Sequence, residues 1–297
     1  MLLGYSTNSI GDMDPLDAVP MLADLGYRSL AVTLDRHTID PFANDLPTRV
    51  ARWRRHLAAA GMACVVETGA RHLLDPTIKH EPTLVSADPA ARDRRVEFSR
   101  RAIDIAADLG AGCVSLWSGI VRDAAVERTA WNRLTDGLAA IVEHAGRVGI
   151  VVAFEPEPGM LVDTLARAER LFDQLGRPEP LRLTVDTGHM ECMGEWPYAG
   201  HLRPWHGRLA NVHVDDMRAC RHEHLPLGQG DVDLSAAIAA LAAAGYQGGL
   251  HVELPRQSHA WLATARQSAA ALEKRCQPPN LANLGKVFFS RLSRFGG

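Results

Sequence analysis

The chain has 297 residues, 46% hydrophobic and 23% charged, enough to bury a substantial core in one large α/β domain or two small ones. Its formal net charge is −3, which argues against bulk affinity for nucleic acid. The five cysteines (Cys64, Cys113, Cys192, Cys220, Cys276) are scattered and lack a Cys-x-x-Cys, so neither a disulfide framework nor a zinc ribbon is indicated, and a reduced cytoplasmic setting is expected.

The chain opens on a strand-like run, Leu2 to Tyr5, without a basic leader, so no signal peptide is expected. No window reaches the ~18 apolar residues of a membrane helix. Asp14-Pro15 reads as an N-cap with proline at the first helical position, starting a helix that stops at Gly26. A second strand covers Ser29 to Leu34, a helix Thr48 to Ala60, and a third strand Ala63 to Val66, tipped by Glu67-Thr68-Gly69. A long polar loop, about 70 to 87, holds His72, Asp75, Lys79, His80 and Glu81; loops this long are commonly functional or mobile. A helix over Pro89 to Leu109 leads to a fourth strand, Cys113 to Leu116, ending in Trp117. A helix over Ala124 to Val148 leads to a fifth strand, Ile150 to Phe154, ending in Glu155. After a helix from Thr164 to Gln174, a sixth strand from Leu181 ends in Asp186-Thr187-Gly188-His189, read as a turn. A proline-broken helical connection, Trp196 to Gly207, precedes a seventh strand, Leu209 to Val212, ending in His213. A second polar loop carries Arg218, Arg221, His222, Glu223 and His224; Asp233 then caps a helix to Ala244. The eighth strand, Gly249 to Val252, ends in Glu253 and is followed by a last helix.

Eight strands alternating with helices imply a parallel sheet, and about 275 residues suits a single-domain (β/α)₈ TIM barrel. An open doubly wound sheet is the alternative, but no glycine-rich nucleotide loop follows the first strand. The barrel is expected over 1–275, with a tail over 276–297 whose role the pattern leaves open. In a barrel all strand C-termini open on the active face. Glu155, Asp186, His213 and Glu253 end four successive strands and would converge there. Three carboxylates so close repel unless a cation sits between them. Oxygen ligands with one histidine suit one divalent metal ion, Mn²⁺ or Mg²⁺, with Zn²⁺ or Co²⁺ as alternatives.

The stretches Phe154-Glu155-Pro156, Val185 to His189, Asn211 to Asp216 and His251-Val252-Glu253, with Gly228-Gln229-Gly230 and Gly245 to Gly248, resemble the xylose isomerase-like TIM-barrel superfamily. Its members include ketose 3-epimerases, hydroxypyruvate isomerase, inosose dehydratase and endonuclease IV. The resemblance is specific over Val151 to Pro255 and fainter upstream. It implies a metal held by Glu155, Asp186, His213 and Glu253, with Glu155 and Glu253 shuttling protons and His189 touching a sugar or polyol substrate. Epimerisation, isomerisation and dehydration remain open, and homo-oligomers are common in the family. The loop with His222 and His224 resembles one that carries zinc ligands in endonuclease IV. With His189 these two could form a second metal site; the preferred reading is that they bind substrate hydroxyls. Trp117 stands where that enzyme has a zinc-binding histidine, which weakens a full zinc cluster; it is a candidate to stack on a sugar face, with a core role, the commoner one for tryptophan, as the alternative. Glu67 and His72 are candidates to line the pocket, with helix-cap or loop roles as the equal alternative, and Asp215 and Asp216 are candidates to orient His213. The alternatives to an isomerase or epimerase are a metal-dependent phosphoester hydrolase and a non-catalytic binding member.

Overall fold

The computed structural model describes residues 1–275; the expected tail over 276–297 lies outside them. The barrel strands are β1 (Leu2–Ser6), β2 (Ser29–Thr33), β3 (Ala63–Glu67), β4 (Cys113–Trp117), β5 (Val151–Glu155), β6 (Leu181–Asp186), β7 (Leu209–Val214) and β10 (Gly249–Val252). They close in the order β1-β10-β7-β6-β5-β4-β3-β2, with every neighbouring pair parallel. Short β8 (Asp216–Arg218) and β9 (Arg221–Leu225) form an antiparallel hairpin above the barrel. The main helices are α1 (Pro15–Asp24), α2 (Leu46–Ala59), α3 (Pro89–Leu109), α4 (Glu127–Val148), α5 (Leu165–Gln174), α6 (Thr187–Cys192), α7 (Tyr198–Leu202), α8 (Leu234–Ala243) and α9 (Trp261–Arg275).

Local sequence explains these boundaries. The Asp14 and Asp88 carboxylates each accept a backbone N–H, from Leu16 and Ala90 at 3.0 Å, and a proline opens each helix. Gly110 and Gly149 end α3 and α4 in the left-handed conformation. Alternation along each strand then divides the core. Val32, Val66, Val114 and Val152 pack with helix residues such as Phe98 and Leu138 in the main cluster, whereas Ala31, Val65, Cys113 and Ala153 form a separate small cluster inside the barrel. Fully burying one large apolar side chain contributes about 1.5–3 kcal/mol. The interior also carries a polar chain: Ser29 Oγ meets His251 Nε2 at 2.8 Å, and His251 Nδ1 meets Asn211 Oδ1 at 2.8 Å. Asn211 in turn lies against His213. The His251 ring fits only because Gly4 has no side chain; a Cβ there would lie 2.6 Å from the ring.

Four expectations change. Helix α2 starts at Leu46 rather than Thr48, with its proline inside the first turn. Helix α4 starts at Glu127 rather than Ala124. The segment before it stays a loop, tied down by Arg122 to Glu81 and by Asp123 to Arg133. The Asp186–His189 stretch is not a free turn. Asp186 accepts the His189 N–H at 2.9 Å and so caps α6, with Gly188 inside the helix. The loop after β7 is largely the β8–β9 hairpin.

Candidate active site

Every barrel strand delivers its C-terminal residue to one rim. Ligand atoms of Glu155, Asp186, His213 and Glu253 lie within 4.8 Å of one another there. His213 is central. Its Nδ1 lies 3.0 Å from Glu155 Oε1, 3.1 Å from Glu253 Oε2 and 3.9 Å from Asp186 Oδ2. Its Nε2 meets the Glu67 carboxylate, which also accepts from Ser6 Oγ at 3.0 Å and Thr33 Oγ1 at 3.1 Å. Glu67 thus faces His213 as well as the cavity, and Ser6, Thr33 and His213 occupy its oxygens. The expectation that Asp215 and Asp216 orient His213 is corrected. Asp215 pairs with His224, and Asp216 accepts the N–H groups of Gly228 and Val232 at 2.8 and 3.0 Å, which pins the loop below the hairpin. The reason is direction: the chain turns into β8 immediately after β7, carrying both aspartates away from the His213 ring.

Burial and charge pull against each other throughout. Burial raises Glu155 to about 7, with the neighbouring Glu253 and Asp186 charges adding to the rise and His213 opposing it. Burial alone would lower His213, but the carboxylates of Glu155, Glu253 and Glu67 push it well above its ordinary value. At Asp186 burial is outweighed by His189, His224 and His213, which hold it below the usual carboxylate range. A positive charge at this spot is strongly favoured.

The expected substrate contacts divide. His222 and His224 line a cavity of about 510 Å³ together with Glu155, Glu253, Trp117 and Glu67. His189 is not among the residues lining it. The first turn of α6 sets His189 behind them, 4% exposed, with Nδ1 at 3.2 Å from the Pro156 carbonyl and Nε2 without a hydrogen-bond partner among the described residues. The three imidazoles still form a cluster, with ring centroids 4.9 to 5.7 Å apart. Burial lowers His189 to about 3. It also lowers His222, to about 4. Burial would lower His224 too, but contact with Asp215 raises it to about 10. Trp117 forms a wall, its indole covered by the buried Arg95 guanidinium at 4.4 Å and edged by His80 at 5.5 Å.

Sequence reasoning missed Asn8, which follows β1 and donates from Nδ2 to Glu253 Oε1. Ser9 holds the Asn8 side chain at 3.0 Å and accepts the Leu254 N–H at 2.7 Å, locking the turn after β1 to the end of β10. The neighbouring of the first and last strands in a closed barrel was the available signal. Glu157, also in the cavity, is pushed well above its ordinary value by burial and then by Glu155 and Glu253.

A family model for the xylose isomerase-like TIM barrel matches residues 19–275. The chain belongs to that family. Among similar proteins, the L-ribulose-5-phosphate 3-epimerase UlaE of Shigella flexneri serotype 5b (strain 8401) is 28% identical over 250 residues, 83% of this chain and 85% of that protein. Its counterpart in Salmonella paratyphi C (strain RKS4594) is 28% identical over 248 residues, covering 82% and 84%. Among solved structures, D-psicose 3-epimerase from Clostridium cellulolyticum H10 with D-tagatose superposes with a TM-score of 0.73 at 17% identity, over 93% of this chain and 98% of that one. The 3-keto-D-glucoside 4-epimerase YcjR of E. coli superposes with a TM-score of 0.70 at 17% identity, over 89% and 99%. At these identities the structural matches speak for the barrel fold alone. No helix among the described residues is long and apolar enough to cross a membrane.

Proposed function

We propose that this barrel is a divalent-metal-dependent isomerase or epimerase of a small sugar, a ketose or ketose phosphate, working by proton transfer through Glu155 and Glu253. The observation that carries the reading is the convergence of three carboxylates on one nitrogen of His213. One imidazole N–H cannot satisfy three carboxylates, and Asp186 Oδ2 is buried without a hydrogen-bond partner among the described residues. A cation held by Glu155, Asp186, His213 and Glu253 fits both facts. The donor set of three carboxylates and one imidazole suits Mn²⁺ or Mg²⁺, with Zn²⁺ or Co²⁺ as alternatives. When bound, such an ion supplies Lewis-acid polarisation of a ketose carbonyl, which acidifies the neighbouring C–H.

The protein's own groups do the rest. Glu155 extends from β5 and Glu253 follows β10, with β6 and β7 between them around the barrel, so they reach the centre from different sides. Glu155 lines the cavity beside the proposed cation site, a position suited to a carboxylate that takes up and releases a proton. Glu253 serves the opposite face, held in place by Asn8. Removal of a proton on one face and return on the other inverts a carbon. Return to the adjacent carbon isomerises an aldose and a ketose. Glu67 fixes the His213 ring, as carboxylates commonly do for metal-binding histidines. The relatives named as ribulose-phosphate and psicose 3-epimerases support the sugar class.

A second reading, a phosphoester hydrolase with a second cation at His189, His222 and His224, draws on the approach of these three side chains within 4.8 Å. Metal content measured by mass spectrometry on wild type and Glu253→Gln separates the two. One equivalent, sharply reduced in the variant, together with epimerisation of ketose 5-phosphates, supports the epimerase. Two or more equivalents surviving the substitution support the hydrolase. No metal under any loading condition overturns both.

A further inference from the structure

Resting on the epimerase reading, we propose that the substrate carries an anionic group, a phosphate or a carboxylate, remote from the reacting carbon, and that Arg71, Lys79 and Arg256 bind it. All three line the same cavity as Glu155 and Glu253. Among the described residues none of the three is ion-paired with a carboxylate. Arginines elsewhere on the molecule do find such partners, as Arg101 of α3 does in Glu97 and Arg133 of α4 in Asp123.

The three cations are placed on separate walls. Arg71 is anchored by one donor, Nη2 to the Asn8 carbonyl at 2.6 Å, on the side of β1. Arg256 is anchored by one donor, Nη2 to the His222 carbonyl at 3.3 Å, on the side of the hairpin. Each guanidinium has five N–H donors, so most remain available for a planar or tetrahedral anion. Lys79 comes from the long loop between β3 and α3 and is exposed. Its charge reaches both walls. Burial and then Lys79 lower His80, while at His222 Arg256 and Lys79 add to the effects of burial and His224. The loop that presents Arg71 and Lys79 is held in a costly shape. Ala70, Arg71 and His80 all have positive φ without being glycine, and the His80 N–H closes the loop on the Arg71 carbonyl at 2.6 Å. The cavity is therefore polarised, with carboxylates at the strand ends and unpaired cations on its walls. A neutral sugar offers those cations hydroxyl oxygens but no opposite charge. An anionic tail offers that charge, and the volume of about 510 Å³ leaves room for one beside the reacting carbons.

The test compares kcat/KM of the Mn²⁺-loaded enzyme for a neutral ketopentose, the same ketopentose 5-phosphate and a ketohexuronate, in wild type, Lys79→Gln, Arg256→Gln and the double variant. Lys79 and Arg256 are exposed, and circular dichroism verifies that each variant folds. The expected result is a preference for one anionic substrate that drops at least about 10-fold in each single variant, mostly through KM. Whichever anionic substrate is preferred tells phosphate from carboxylate. A wild type that uses the neutral ketose equally well overturns the proposal. So does an equal loss on all three substrates, which would mean that the cations only offset the carboxylates. If no sugar is turned over, the epimerase reading fails separately. Calorimetry with inorganic phosphate and with a small dicarboxylate then still decides: binding abolished in the double variant supports the anion site, and no binding to wild type overturns it.

Discussion

His213 meets four carboxylates, and an imidazole has only two nitrogens. Glu67 takes Nε2, which leaves Nδ1 for Glu155, Asp186 and Glu253. The orientation of the ring therefore depends on Glu67, itself held by Ser6 and Thr33. Glu67→Gln keeps the shape but removes the charge that fixes the Nε2 proton. On the proposed reading, Mn²⁺ affinity measured by calorimetry should fall about 10-fold or more. An unchanged affinity would mean that packing alone orients His213. The strand-end residues Glu155, Asp186, His213 and Glu253 were legible because a barrel sends every strand end to one face. The Glu67–His213 pair was not: it spans 146 positions, and only closure of the barrel brings β3 opposite β7.

At the scale of elements, α6 shows how a short helix organises the second layer of the site. Its cap is Asp186, its first turn carries His189, and Gly188 lies under the Asp215 carboxylate and Met217. A Cβ at Gly188 would sit 2.0 Å from Asp215 Oδ1 and 2.6 Å from Met217 Cγ. A glycine-to-alanine change inside a helix ordinarily stabilises, by roughly 0.5–1 kcal/mol. Here overpacking should reverse the sign, so Gly188→Ala is expected to destabilise by about 1–3 kcal/mol in urea unfolding. A more stable variant would show that Asp215 and the hairpin move aside freely. The same element explains why a turn read from Asp-Thr-Gly-His became a helix. The Asp186 side chain satisfies the His189 N–H, and only the contact with Asp215 accounts for the glycine.

Across the whole molecule, buried acids give the fold a defined pH response. Glu195 lies on the connection between α6 and α7 and accepts the Leu165 N–H at 2.7 Å, at the start of α5. Burial raises it to about 7 from an ordinary value of 4.5. Between those values the folded chain binds more protons at this site than the unfolded chain does, so its contribution to stability falls as pH rises through that window. The difference in unfolding free energy between Glu195→Gln and wild type should therefore grow in favour of the variant from about pH 4.5 to about pH 7 and level off above. A difference that stays flat across this range would mean that water reaches the Glu195 carboxylate.

The alternation of strands and helices, the helix caps and the four strand-end residues could be read from the chain because each is a local pattern of period, cap or tip. Composition and the absence of a long apolar run were equally local. It took the folded barrel to show that Asn8 braces Glu253, that Glu67 turns to His213, that His189 stands behind His222 and His224, and that Arg71, Lys79 and Arg256 share a cavity with the carboxylates. These are contacts between side chains far apart in sequence. Their partners are chosen by barrel closure and by loop conformation, neither of which leaves a periodic mark on the chain.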